Sequence, residues 1–386
     1  MNAAAARLAQ LRVETAGALA DIDALRDEWE ALEARTPEAT GFQSFAWCRC
    51  WLAAASEFGA SCEPRVLTVR ENDRLVMLWP LQIECFFGAR VARWIGEPMT
   101  QYGDALAEAG AGRARWGTAA RAELARCRDV DLFAFSRVRE DGVLGRGASG
   151  AGLHGETLSA PFVDLAGAGW ARRHKSLERR ARRLAALGAP RLEQVLEPSR
   201  RQALAREALA MKRDWLRGKG FVSAGLTNPA TAGFLDGLAR DGFLRVNCLW
   251  VGETVAAIDL GFVGDGAYRS LLGSYNARFA EGSPGQFLIA RLIERCAAEG
   301  LERFDLLAPA DAYKLTWGTG AVLVGANFVP RTLRGHVAAF ALARLRPLAK
   351  RLMRVLSAWR RTPRLDSVES GRAAPAPASA REPASA

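Results

Sequence analysis

The stretch from residue 244 to 328 constrains the fold most, because its apolar residues change period in a fixed order. Over 244–251, 254–263 and 268–275 they alternate, the period of a half-buried strand. Gly252 with Glu253, and residues 264–266, supply short turns between these runs, so the three strands form an antiparallel meander. A helix is expected over 285–299, a strand over 303–307, a short helix over 310–317 and a last strand over 321–328. The order β-β-β-α-β-α-β specifies an α/β (α+β) unit in which helices flank a mostly antiparallel sheet.

The rest of the chain repeats this alternation. A strand at 11–15 precedes a helix at 18–32, where Leu19, Ile22, Leu25, Trp29 and Leu32 share one face. A helix from Ser44 leads to strands at 65–70 and 75–83 joined through Glu71, Asn72 and Asp73. Strands at 91–95 and 131–135 flank a helix at 113–126. The glycine-rich run 142–155 is the best linker, because glycine weakens both helix and strand. Beyond it come a strand at 162–165, a helix at 170–187, a strand at 191–195 and helices at 199–216 and 228–240. At 386 residues two domains are expected, here 1–158 and 159–330.

Composition removes several function classes. Seven cysteines, odd in number and never spaced as CxxC, argue against a disulfide framework or a zinc ribbon. Three histidines without an HExxH pairing give no metal site and no hydrolase triad. The N-terminus lacks the apolar core of a secretory signal, and no run reaches the roughly 20 apolar residues that span a bilayer. A cytoplasmic protein is expected.

Two segments could carry chemistry. In 275–287, YNARFAEGSPGQF, Ser283 is placed to cap a helix, Pro284 suits its first turn, and Gly285 and Gln286 leave backbone amides at its positive end. Such an end binds phosphate, although an ordinary capped helix looks the same. In 304–318, FDLLAPADAYKLTWG, Asp305 starts a buried strand, where a carboxylate needs a partner. Tyr313 could give a proton to a leaving thiolate and Lys314 could steady an anion. Tyr313 and Trp317, four apart, could equally just pack on the sheet.

These segments resemble the GNAT-related acetyltransferases of the CelD or BcsL type, named for cellulose biosynthesis, which are similar to the Fem-type peptidyltransferases. The likeness extends to FQSFAWCRCW from Phe42, WPLQ from Trp79, YGDAL from Tyr102 and the basic HKSLERRARRL helix, and covers 1–330. It implies tandem GNAT-like lobes, each a mixed, mostly antiparallel sheet flanked by helices. It also implies a bacterial N- or O-acyltransferase, with acetyl-CoA or another acyl-CoA as donor and no metal. By position, Ser283, Pro284, Gly285, Gln286 and Phe287 would bind the donor pyrophosphate. Asp305, Tyr313 and Lys314 would form the second motif. Asp259 on the meander joins Asp305 as a candidate base. Lys175, Arg179, Tyr275, Trp317, Tyr102 and Asp104 are the candidate acceptor contacts. One departure stands out: Gly282 and Gly285 are three apart where the family turn has two.

The acceptor is expected to be a sugar, nucleotide sugar or polysaccharide precursor whose amine or hydroxyl attacks the donor thioester directly. The alternatives are a Fem-like aminoacyl transferase using charged tRNA and a non-catalytic binding protein of the same fold. The net charge of +11 is concentrated in two places. Residues 172–183 carry seven Lys or Arg against one Glu, either a solvated helix face or, through His174, Lys175, Arg179 and Arg180, a border of the cleft. Aromatic residues are not interleaved with these charges, so nucleic acid is disfavoured. Residues 331–364 carry ten Lys or Arg and no acid, with apolar residues at helical spacing. This basic amphipathic helix, broken at Pro347, either lies in the anionic inner face of a membrane or packs on the protein itself. The tail 365–386, rich in Ala, Pro and Ser, is expected to be disordered. Oligomeric state stays open.

Overall fold

The computed structural model describes residues 10–59, 62–145, 152–167 and 175–349. His174, part of the glycine-rich linker, residues 350–364 of the basic segment and the tail 365–386 lie outside them, as does the side chain of Lys175. The strands are β1 (Leu11–Ala16), β2 (Glu63–Glu71), β3 (Arg74–Phe86), β4 (Ala89–Trp94), β5 (Leu106–Ala107), β6 (Leu132–Arg139), β7 (Leu153–His154), β8 (Leu158–Asp164), β9 (Pro190–Val195), β10 (Arg245–Val251), β11 (Thr254–Gly264), β12 (Ala267–Tyr275), β13 (Arg303–Asp305) and β14 (Gly320–Pro330). The helices are α1 (Leu19–Ala24), α2 (Arg26–Ala34), α3 (Phe45–Glu57), α4 (Arg113–Arg126), α5 (Lys175–Ala185), α6 (Pro198–Gly218), α7 (Ala224–Thr227), α8 (Ala230–Arg240), α9 (Pro284–Ala298), α10 (Ala312–Trp317) and α11 (Leu333–Phe340).

All the strands join one sheet, in the order β1-β2-β3-β4-β6-β14-β8-β13-β12-β11-β10-β9, with β5 on β3 and β7 on β14. Each half repeats one unit. In the first, β2, β3 and β4 pair antiparallel and α4 carries the chain to β6, parallel to β4. In the second, β10, β11 and β12 pair antiparallel and α9 carries the chain to β13, parallel to β12. A parallel partner cannot be reached by a tight turn, so the helix crossover follows from the strand directions. The fold is the expected mixed, mostly antiparallel sheet with helices on its faces.

The halves are locked together at two levels. β14, the last strand, is antiparallel to β8 over 320–324 and to β6 over 324–330, so the end of the chain is stitched between the two units. Above the sheet, Phe42 packs edge-on against Trp47, Tyr102 and Phe262, and Trp47 against Phe234 of α8, at centroid separations of 4.7–5.6 Å. Each such pair contributes about 0.5–1.5 kcal/mol beyond its buried area. The FQSFAW segment is therefore core, built where the halves meet.

Two expectations change in detail. The single helix over 18–32 is two, α1 and α2, meeting at Leu25. Of the large apolar residues of the basic extension, Leu342 alone among the described residues joins its packed face. Gly335, Ala338, Ala339, Leu342 and Ala343 are buried, and the last four pack on Ala89, Val91, Leu132, Ala134 and Phe328. Leu333, Val337, Phe340, Leu345 and Leu348 point outward. Small side chains let the helix sit close to the sheet, which the bulky face could not do.

Candidate active site

The site begins with a divergence of strands. β12 pairs with β13 only at Ala267–Arg303, Tyr268–Phe304 and Arg269–Asp305. Past Arg269, β12 runs on to Tyr275 while β13 has ended. The gap opens a cleft of about 950 Å³ lined by Ser270–Tyr275, Ser283–Gln286, Leu306–Pro309 and the start of α10. The second half thus places an unpaired strand edge beside a helix N-terminus.

That N-terminus is α9. Ser283 stands at its cap position with φ +51, but its hydroxyl caps nothing. Its carbonyl instead accepts the amides of Gln286 and Phe287, both at 3.1 Å. The Gly285 amide, in the first turn where no carbonyl of the helix stands four residues back to accept it, has no partner among the described residues, and Gly285 lines the cleft at the positive end of the helix. The unusual glycine spacing has a local cause. A side chain at Gly282 would run into Leu184 of α5, which packs against this turn.

On β11, paired between β10 and β12, Asp259 is buried and lines the cleft. It accepts hydrogen bonds from the Tyr268 hydroxyl and the Ser270 hydroxyl, each at 2.5 Å, and Tyr268 in turn accepts from Asn247 at 2.9 Å. Burial pushes the Asp259 carboxyl up to about 6, against the pull of Ser270, Tyr268 and the Lys212 charge. A carboxyl at that value is poised to take a proton near neutrality. Lys314, buried on α10, donates to the Leu307 carbonyl at 2.9 Å, and burial pulls its amine down to about 8, opposed by Asp311. Tyr313 beside it is 41% exposed, and the loss of water on its cleft side holds the phenol above its ordinary range.

The structure sorts the expected residues into two groups. Asp259, Tyr275, Ser283, Pro284, Gly285, Gln286, Tyr313 and Lys314 line the cleft together. Asp305 does not line it: the Tyr102 hydroxyl donates to both its oxygens at 2.8 Å, tying residues 203 apart in the chain. Asp104 also lies elsewhere, accepting the amides of Ala105, Val143 and Leu144 at 2.7–3.0 Å. Phe287 is core. Trp317 packs there too and donates at 2.7 Å to Gln286, fixing that side chain. Arg179 is exposed on α5.

Other lining residues were not singled out from the sequence. Lys212 and Trp215 come from α6: Lys212 donates to the Gly273 carbonyl at 3.0 Å and Trp215 to the Tyr275 hydroxyl at 3.1 Å. Their spacing of three on an otherwise apolar helix face was the available signal. Pro98, Met99, Gln101 and Arg137 come from the first half and Arg346 from the extension.

Residues 171–315 match the family described as Acetyltransferase (GNAT) domain, a span holding α5 through most of α10. That part of the second half is similar to the GNAT acetyltransferase family. In overall fold the chain is similar to FemX, at 11% identity and a TM-score of 0.58, covering 84% of this chain and 99% of FemX. It is similar too to the C-terminal domain of a putative lysylphosphatidylglycerol synthetase from Agrobacterium fabrum, at 15% identity and a TM-score of 0.53, covering 85% and 98%. A conserved protein of unknown function from Bacteroides thetaiotaomicron gives 11% and 0.52, covering 82% and 100%. No curated protein matches. At these identities the likenesses speak for a shared overall fold alone.

Proposed function

We propose that the protein is a GNAT-type acyltransferase of the CelD or BcsL kind, which moves an acyl group, acetyl in the simplest case, from acyl-CoA to an amine or hydroxyl of a sugar or polysaccharide precursor. The observation that carries this reading is the uncommitted Gly285 amide at the α9 end of a cleft whose other wall is a free strand edge. The amide suits a donor pyrophosphate. The backbone of Ser270–Tyr275 suits the amides of an extended pantetheine arm.

Direct attack on the thioester needs a base, an oxyanion partner and a proton for the thiolate. Asp259 takes the proton from the acceptor, Tyr268 and Ser270 fix its orientation, and Tyr313 supplies a proton to the departing sulfur. Lys314, held by Leu307, adds positive charge near the developing oxyanion. Free-thiol release from acetyl-CoA tests the reading when panels of amino sugars, sugar phosphates and nucleotide sugars are supplied. Acceptor-dependent release supports it; acetyl-CoA that is bound and never turned over by any of them points to a binding protein.

Fem-like aminoacyl transfer from charged tRNA is the second reading, and the fold likeness to FemX keeps it in view. Against it, residues 190–240 form β9, α6, α7 and α8, with α6 packed on α8 and β12 and no projecting helical arm among the described residues. The same proposal places the enzyme in the cytoplasm with peripheral contact at the inner membrane. Leu333, Val337, Phe340, Leu345 and Leu348 face outward between arginines, and no described helix is long and apolar enough to cross a membrane. Phe86 packs against the cluster that seats α11, and its neighbour Phe87 is 93% exposed. Apolar side chains rimmed by cations suit an anionic lipid surface.

A further inference from the structure

Arg137 is held in an uncommon state. Opposite β14, the pairs Phe135–Asn327 and Val138–Gly325 enclose two residues on β6 and one on β14, so Ser136 and Arg137 form a bulge. Arg137 has φ +55 there, the left-handed region that a non-glycine residue seldom enters without compensation. Its carbonyl accepts the Gly103 amide at 3.0 Å, which fixes the bulge. Bulges redirect side chains, and this one turns Arg137 out of the sheet into the wall of the cleft.

The guanidinium arrives there without an ion pair among the described residues. Its hydrogen-bond partner is the neutral Gln101 side chain, and no carboxylate lies within 4 Å of it among the described residues. Glu97, the nearest acid to act on it, is engaged with the Ser136 hydroxyl at 2.7 Å. A second cation approaches instead. α11 lies along β4, β6 and β14 and the chain continues past it, so the extension delivers Arg346 to the wall of the same cleft. Burial lowers the Arg137 pKa, Glu97 opposes it, and the Arg346 charge adds to the lowering. Two like charges, one half-buried and strained, are brought together from residues 209 positions apart. Such an arrangement is unfavourable unless an anion sits between them.

We infer that Arg137 and Arg346 form an anion clamp for the acceptor, which makes the acceptor a phosphate ester such as a sugar phosphate or sugar diphosphate. This deepens the acyl-transfer reading and rests on it. The donor's own pyrophosphate is assigned to the Gly285 amide on α9. The arginines come from the first half and the extension, beside Pro98, Met99 and Gln101, and so serve the other substrate. Two guanidinium forks match a phosphate dianion in charge and in geometry.

Calorimetric titration of inorganic pyrophosphate into the full-length protein, presaturated with CoA so that the α9 end is filled, tests the clamp. The variants are Arg346→Gln, on an exposed helix surface where folding is not at stake, and Arg137→Asn, since asparagine tolerates positive φ. Each is expected to weaken pyrophosphate at least tenfold while CoA affinity stays within twofold of wild type. Absence of pyrophosphate binding to the wild type, or equal affinity in Arg346→Gln and wild type, overturns the clamp. An equal loss of CoA affinity also overturns it, because the arginines would then belong to the donor. If the wild type fails to bind CoA at all, the donor reading falls, and the dependence of pyrophosphate on Arg346 still reports on the clamp.

Discussion

Asp259 is the residue whose environment bears most directly on chemistry. Its carboxyl sits at about 6 because burial outweighs two short hydrogen bonds and the Lys212 charge. A base must be ionised to accept a proton, so kcat/KM is expected to fall as pH drops through about 6. Asp259→Asn should lose that acid limb and lower turnover by about 10²–10⁴-fold. A variant with wild-type rate and an unchanged pH profile would remove Asp259 from the mechanism. Lys314 acts at the other end of the range. Its amine is charged below about 8 and neutral above, so its contribution declines as pH rises through that value. Lys314→Ala should cut kcat by roughly 10²-fold while leaving CoA affinity nearly unchanged, the pattern of lost transition-state stabilisation. Parallel losses in binding and rate would make Lys314 a structural residue of the α10 turn.

At the scale of elements, α11 depends on one glycine. A Cβ at Gly335 would run into the backbone of Asp131, and Thr332 caps the helix by accepting the Gly335 amide at 3.1 Å while donating to Asp131 at 2.5 Å. Gly335→Ala should therefore destabilise the protein by about 1–3 kcal/mol, read as a lower midpoint in thermal or urea unfolding. An unchanged midpoint would mean that α11 is not seated as described. What the sequence revealed and what it hid differ by mechanism. The meander β10 to β12 and α9 were legible because alternation and a helical period are local properties of the chain. Proline and glycine at 284 and 285 likewise marked the helix start. The Tyr102–Asp305 bond was not legible, since it joins a turn of the first half to the end of β13 and neither residue carries a local sign of the other. Nor was the Arg137 bulge, which depends on how β14 pairs with β6. The packed face of α11 was not legible, because bulky apolar residues are the usual sign of a buried face, whereas here close approach to the sheet selects Gly335, Ala338 and Ala339.

At the scale of the molecule, one sheet carries both halves, and the cleft takes its walls from the second half, the first half and the extension together. The outward apolar side chains of the extension lead to a prediction about location. Full-length protein should cosediment with anionic vesicles at low salt and much less at high salt, because surface attraction is screened within about 8–10 Å at such ionic strengths. Replacing Leu333, Val337 and Phe340 together by serine should abolish pelleting while leaving the buried face of α11 intact. Equal, negligible pelleting of both proteins would dismiss the membrane contact. The central claim concerns the donor site, where a free amide on α9 meets the cleft opened between β12 and β13. A Cβ at Gly285 meets only Tyr275, at an ordinary 3.8 Å, so a substitution there can be tolerated by the fold. Calorimetric titration of CoA into wild type and Gly285→Val is the most direct measurement. The account predicts saturable one-site binding to the wild type and at least tenfold weaker binding to the variant at an unchanged melting temperature; equal affinity in a folded Gly285→Val protein, or no binding to the wild type, would contradict it.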